Sequence, residues 1–234
     1  VFKIKICGVK LKSDIDAVGE SPADAIGLNF FRPSVRYVDP LEPSTLELTR
    51  RAASLGLMRV GVFVNEPLES IVEIARAVDL DVVQLHGDET LTFAQSLQDA
   101  GIRVIRAIKV PVIVEDRTQN PVVVAVGEWG HAGFHLLLDA DAGPQHGGSG
   151  KSIDWQAVHA WSAQNPEISW TLAGGLRSDN VAQAIAASGA CSVDTASGVE
   201  SSRGVKSAEM IRQFAAAAEA ALAQNRPNAG KNLF

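Results

Sequence analysis

Cysteine is nearly absent from this chain of 234 residues: only Cys7 and Cys191 occur. They form no CxxC pair, and two cysteines cannot build a disulfide framework, which fits a reducing compartment. The five histidines (His86, His131, His135, His146, His159) show no HExxH and no paired-ligand spacing, so no zinc or other metal site is expected. Long apolar runs are also missing. The longest candidate, FAAAAEAALA, is broken by Glu219, and nothing approaches the ~18 apolar residues of a membrane span. The opening VFKIKICGVK lacks the apolar stretch of a secretory signal. A cytoplasmic protein without membrane contact is expected. No Lys/Arg cluster stands out, and the formal charge of −6 with a pI near 5.4 argues against nucleic acid as a partner. A small anionic ligand stays open, because a local pocket can be positive on an acidic protein. No GxGxxG occurs. GGSGKS (147–152) resembles a P-loop, but Gln145 stands where the first glycine is required. That stretch reads instead as a flexible lid.

What is present is ordinary globular composition, 46% hydrophobic and 21% charged, which excludes global disorder. A chain of this length can bury about 70% of its unfolded surface without staples. There is no linker, repeat or low-complexity segment. Eight short runs rich in Val, Ile, Leu and aromatics predict strands at 3–7, 24–30, 57–64, 81–85, 103–109, 135–139, 169–173 and 191–194. Between them lie helical patterns. Leu68, Ile71, Val72, Ala75 and Val78 share one face, as do Leu91, Ala94 and Leu97. SDNVAQAIAASG opens on Ser178 as a candidate N-cap and closes on Gly189. Met210, Ile211, Phe214, Ala218 and Leu222 repeat at helical spacing. Eight strands alternating with helices predict a single-domain α/β fold over 1–234, the (β/α)8 TIM barrel, with a frayed tail from about 225. Residues 111–133 should hold the fifth helix, yet their valines favour strand, so an open doubly wound sheet stays possible.

Residues two apart in a strand face one side. Lys5 therefore shares a face with Cys7, and Gln84 with His86, while Ile4 and Ile6 point to the other layer. Cys7, Asn29, His86, Asp139 and Asp194 all fall at C-terminal strand ends, the rim where barrels keep their chemistry. Such residues can equally start turns, and for Asn29 and Asn65 that reading weighs at least as much. For Cys7 a functional role is favoured, because the Lys5 ammonium would lower its thiol from about 8.5 and make it a usable base. Cys191 reads as a small buried apolar cysteine. Ala173-Gly174-Gly175 and Ala196-Ser197-Gly198-Val199 follow the seventh and eighth strands. Each alone is a tight turn. At those two ordinal positions together they predict a phosphate site.

KICGV (5–9), RPSVRYV (32–38), VGVFVN (60–65), VVQLHG (82–87), LLLDA with GGSGKSIDW (136–155), LAGGLRSDNV (172–181) and VDTASGVES (193–201) resemble phosphoribosylanthranilate isomerase. The match runs nearly end to end, without 111–133 and the tail. The resemblance implies the TIM barrel and an Amadori rearrangement in tryptophan biosynthesis without a cofactor. It implies a phosphosugar-anthranilate substrate and a monomer or homodimer. It also implies Cys7 as general base, Asp139 as general acid, Arg36 on the substrate carboxylate, and Gly174, Gly175, Ser197 and Gly198 around the phosphate. Asp194 would meet sugar hydroxyls and His86 would line the pocket. Two stretches depart from the family: DADAGPQH after Asp139, and TASGVE where two serines are more usual. The competing readings are a phosphosugar epimerase, which would want His and Asp metal ligands, and a barrel that binds a phosphosugar without turning it over.

Overall fold

The computed structural model describes residues 1–112, 120–141 and 153–225. The expected lid at 147–152, most of the unusual loop after Asp139, and the frayed tail beyond 225 lie outside the described residues.

Eight parallel strands close on themselves: β1 (Ile4–Cys7), β2 (Ala25–Asn29), β3 (Met58–Phe63), β4 (Val82–Leu85), β5 (Val104–Pro111), β6 (His135–Asp141), β7 (Trp170–Leu172) and β8 (Val193–Thr195). β1 pairs with β2 on one side and β8 on the other, so the sheet is a barrel and not an open doubly wound sheet. All eight expected strands are found. Alternation along each strand splits the apolar residues into two clusters. Ile4, Ile6, Ile26, Leu28, Val83, Leu85, Leu136 and Leu138 face outward and pack under the helices. Phe2, Ala25, Val60, Val82, Ile105, Ala107, Leu137 and Ala173 fill the barrel. Each fully buried Leu or Ile contributes about 1.5–3 kcal/mol, which ties every outward strand residue to the helix above it.

The helices are α1 (Lys12–Gly19), α2 (Pro43–Ser54), α3 (Leu68–Ala77), α4 (Leu91–Asp99), α5 (Pro121–Val126), α6 (Trp155–Gln164), α7 (Val181–Ser188) and α8 (Ala208–Gln224). The predicted faces are the buried ones: Ile71 and Ala75 in α3, Ala94 and Leu97 in α4, Ile211, Phe214 and Ala218 in α8. Within the ambiguous stretch, Pro111 still belongs to β5, 113–119 lie outside the described residues, and the part from 121 to 131 is helical. Asn120 accepts a hydrogen bond from Val122 N and Pro121 takes the first helical position. Val122 and Val126, one turn apart, are buried, and a 3-10 turn over Gly127–His131 buries Trp129. Capping and burial thus override valine's preference for strand. The helix after β7 starts later than expected. Ser178 does not cap it; Asn180 precedes Val181, and the helix closes on Gly189 in the left-handed region, φ 77°. After β8, a short hairpin of β9 (Glu200–Ser202) and β10 (Val205–Lys206) leads into α8.

Candidate active site

Inward-facing polar groups gather toward the C-terminal ends of the barrel strands. Lys5 and Cys7 on β1 point inward, as expected. A Cβ on Gly27 of β2 would lie 2.6 Å from Cys7 Sγ, so the bare backbone there makes room for the thiol. Lys5 has no exposed surface, and its Nζ lies 2.9 Å from Asp194 Oδ1. It also donates to Gln84 Oε1 at 3.0 Å. Gln84 Nε2 meets His86 Nδ1 at 3.1 Å, and His86 Nε2 lies 3.4 Å from Asp139 Oδ2. One continuous chain therefore joins Asp194, Lys5, Gln84, His86 and Asp139 across β8, β1, β4 and β6.

The electrostatics differ from the sequence expectation at Cys7. Burial pushes the thiol up and outweighs the opposing pull of Lys5, while Asp194 pushes it further up. Lys5 does not deliver a resting thiolate, because its charge is already matched by Asp194. For Lys5, burial works against the charge, but Asp194 and Cys7 outweigh it and hold the ammonium protonated. Burial pushes the Asp194 carboxyl up against the pull of Lys5.

Arg36 lies on the loop after β2. Its Nε and Nη2 donate to Glu200 Oε1 and Oε2 at 2.6 and 2.9 Å, a bidentate pair. Lys206 Nζ donates to the same carboxylate at 3.0 Å and to Ala196 O at 2.7 Å. These partners, opposing the cost of burial, bring Glu200 down to about 2. Nη1 and the second Nη2 hydrogen of Arg36 are the donors not used in that pair. Lys206 and Arg36 both bear electrostatically on Cys7.

The two glycine loops are tied together. Thr195 Oγ1 donates to Leu176 O at 2.7 Å, and Gly198 packs so closely on that carbonyl that any Cβ would collide with it. Gly174 and Gly175 both adopt positive φ, 83° and 68°. Asn180 pins the loop by accepting from Arg177 N and donating to Gly175 O, at 2.7 and 3.0 Å. Among the described residues the backbone N–H groups of Gly174, Gly175, Ser197 and Gly198 have no partner.

Cys7, His86, Asp139 and Asp194 are thus brought to one end of the barrel, with Arg36 at its rim and the two loops alongside. Cys191 is not buried as expected; it is exposed, because it lies in the turn before β8. Asn29 and Asn65 act in turns: Asn29 Oδ1 accepts from Phe31 N, and Asn65, at φ 53°, accepts from Asp88 N. Gln84, Glu200, Lys206 and Gly27 were missed as site residues. Gln84 two places before His86 was the available signal, as was a glycine inside the AIGLN strand. The Arg36–Glu200 and Lys206–Glu200 pairs join residues far apart in sequence and leave no local signature.

A family model described as N-(5'-phosphoribosyl)anthranilate (PRA) isomerase matches residues 4–217. The N-(5'-phosphoribosyl)anthranilate isomerase of Myxococcus xanthus (strain DK1622) is 41% identical over 217 residues, 93% of this chain and 96% of its own. A crystal structure of phosphoribosyl anthranilate isomerase in complex with reduced 1-(o-carboxyphenylamino)-1-deoxyribulose 5-phosphate superposes with a TM-score of 0.77. It is 31% identical and covers 94% of this chain and 100% of that one. The enzyme from Thermotoga maritima gives a TM-score of 0.80 at 33% identity, with the same coverage. An inward thiol, an inward carboxyl and paired glycine loops on a closed barrel, set beside matches that span nearly the whole sequence, lead to one conclusion: the chain belongs to the N-(5'-phosphoribosyl)anthranilate isomerase family.

Proposed function

We infer that this chain, as one barrel domain over 1–234, carries out its family's isomerisation in tryptophan biosynthesis with Cys7 as base and Asp139 as acid. The observation that carries this reading is the placement of both groups inside the same end of the barrel, on β1 and β6. The substrate is N-(5'-phosphoribosyl)anthranilate and the product is the carboxyphenylamino-deoxyribulose phosphate. Asp139 gives a proton to the ring oxygen; the C–O bond breaks and an iminium forms. Cys7 removes the proton from the adjacent carbon, and the electron pair left behind neutralises the iminium to give an enolamine. Transfer of the enol proton to carbon then yields the ketone. The steps are proton transfers coupled to one C–O cleavage, and the reaction is redox-neutral overall, so it consumes no oxidant or reductant. General acid and base each supply a factor of about 10²–10⁴.

The raised thiol fits this sequence. The iminium places a positive charge near Sγ and favours the thiolate at the step that needs it. The unused donors of Arg36 take the anthranilate carboxylate. The unpartnered N–H groups of Gly174, Gly175, Ser197 and Gly198 take the phosphate, Asp194 meets a sugar hydroxyl, and His86 lines the pocket beside Asp139. No helix among the described residues is long and apolar enough to cross a membrane, and the enzyme is taken to work in the cytoplasm on a small molecule, as monomer or homodimer and without nucleic acid.

The test is direct. Purified protein should abolish the fluorescence of the anthranilate adduct, and the gene should restore growth without tryptophan to a strain lacking this isomerase. Binding of a product analogue without turnover would instead make this a phosphosugar-binding barrel.

A further inference from the structure

The buried chain from Lys5 to Asp139 has a direction, and the chemistry of its first member sets it. An ammonium only donates. Lys5 Nζ, 3.0 Å from the Gln84 amide, therefore selects its oxygen, which turns Nε2 toward His86. Nε2 also only donates, and it meets Nδ1 at 3.1 Å, so Nδ1 is bare. A neutral imidazole with a bare Nδ1 carries its proton on Nε2, and that nitrogen faces Asp139 Oδ2 at 3.4 Å. Every link points the same way, from the thiol's neighbour to the acid. Lys5 and Gln84 are 0% and 1% exposed, so neither can trade its partner for water.

We propose that Gln84 is a positioning residue that holds His86 in the Nε2–H tautomer and so aims a single donor at Asp139. This rests on the reading of Asp139 as the acid. The arrangement does one thing for an acid: an Nε2–H facing Oδ2 at 3.4 Å, longer than a formed hydrogen bond, favours one orientation of the carboxyl and leaves Oδ1 to carry the proton that is given up. His86 is faced by Gln84 on β4, Asp139 on β6 and Asp194 on β8, whose charge bears on it. A glutamate at 84 would accept from Lys5 but could not donate to Nδ1, which makes it the sharp variant. The loop carrying His86 is fixed independently: Glu89 accepts from Asn65 N and Gly87 N, and Arg106 bonds both Glu89 and Gly87 O.

The experiment is a long-range proton–nitrogen correlation spectrum of the ¹⁵N-labelled protein, with His86 assigned by its loss in His86→Gln. Wild type should show His86 protonated at Nε2 and bare at Nδ1. Gln84→Glu should gain a proton at Nδ1 and lose about 10–100-fold in kcat with KM little changed, the size expected when a partner behind a reacting group is lost. Gln84→Met, which has no donor and adds no charge, should lose the tautomer preference and a similar part of kcat if Gln84→Glu fails to fold. His86 protonated at Nδ1 in wild type, or unchanged tautomer and kcat in the folded variants, overturns the proposal. Asp139→Asn separates it from the reading beneath: kcat near wild type there removes the acid assignment, whereas the histidine spectrum reports the Gln84–His86 arrangement by itself.

Discussion

Near the N-terminal ends of the strands, His135 Nδ1 meets Ser169 Oγ at 2.7 Å and Nε2 meets Thr171 Oγ1 at 2.8 Å. Thr171 Oγ1 in turn reaches Ser192 Oγ at 2.8 Å. Toward the C-terminal ends, Asp194, Lys5, Gln84, His86 and Asp139 make the other polar layer. Both layers face into one barrel; the lower one pairs its polar groups by hydrogen bonds, whereas Asp194 Oδ1 in the upper one has the charge of Lys5 beside it but no aligned hydrogen bond. The lower one uses hydroxyls and a neutral ring, whose partners rotate to suit each other at modest cost. The upper one holds an ammonium and a carboxylate away from water, which costs several kcal/mol per ion unless the pair is kept. A barrel can be plugged with the first kind of layer alone. The second kind is retained where charge has to be present when a proton moves, and this agrees with the usual division between a stabilising bottom and a reactive top.

Breaking the upper layer should give the largest effects. Cys7→Ala should lose about 10²–10⁴-fold in kcat while still binding a product analogue, as read by steady-state turnover and calorimetry. A thiol acting as the proposed base works deprotonated, and burial raises the Cys7 value, so on that proposal kcat/KM in wild type should keep climbing with pH beyond the ordinary thiol value of about 8.5. Alkylation at Cys7 should follow the same curve. It is best measured in Cys191→Ser, because Cys191 is the exposed thiol.

Next in size is Lys5→Met, which leaves Asp194 buried without its cation. A loss of about 3–5 kcal/mol in unfolding free energy is expected. Asp194→Asn added to Lys5→Met should recover part of the stability, because the stranded charge is gone, and none of the activity.

The lower layer should respond to pH and not in turnover. Burial is the main cause that lowers His135 to about 4 from an unfolded value near 6.5. A group lowered on folding stabilises fully above its unfolded value and loses that contribution as pH falls toward the folded one. Stability should therefore drop by on the order of 3 kcal/mol between pH 6.5 and 4, and His135→Gln should flatten that slope in denaturant titrations. The smallest effect is Thr171→Val, which removes the hydroxyl shared by His135 and Ser192. It should cost about 1–3 kcal/mol and leave kcat unchanged.

The two layers were unequally legible in the sequence. Alternation in KIKIC placed Lys5 and Cys7 together, and the strand-end positions marked His86, Asp139 and Asp194, because period-2 geometry is local. The sign of the thiol's shift was not legible. It depends first on how completely the barrel buries Cys7, and then on Asp194, 187 places further on in the chain yet opposite Lys5 in the β1–β8 register. The clamp of Arg36 by Glu200 was hidden for the same reason. Helix α5 was ambiguous because valine's own preference opposed its burial, and the start of α7 shifted because Asn180, not Ser178, found backbone partners. The lower layer gave no signal: His135, Thr171 and Ser192 sit on three strands and match no motif.

The claim that the upper layer carries the chemistry is tested most directly by the kcat of Asp139→Asn, followed by loss of anthranilate fluorescence. The substitution keeps the shape of the side chain and its contact with His86 but removes the proton to be given. A fall of at least ~10²-fold with KM and unfolding free energy little changed is expected. A kcat near wild type would contradict the assignment and leave the Lys5–Asp139 chain as a second structural plug.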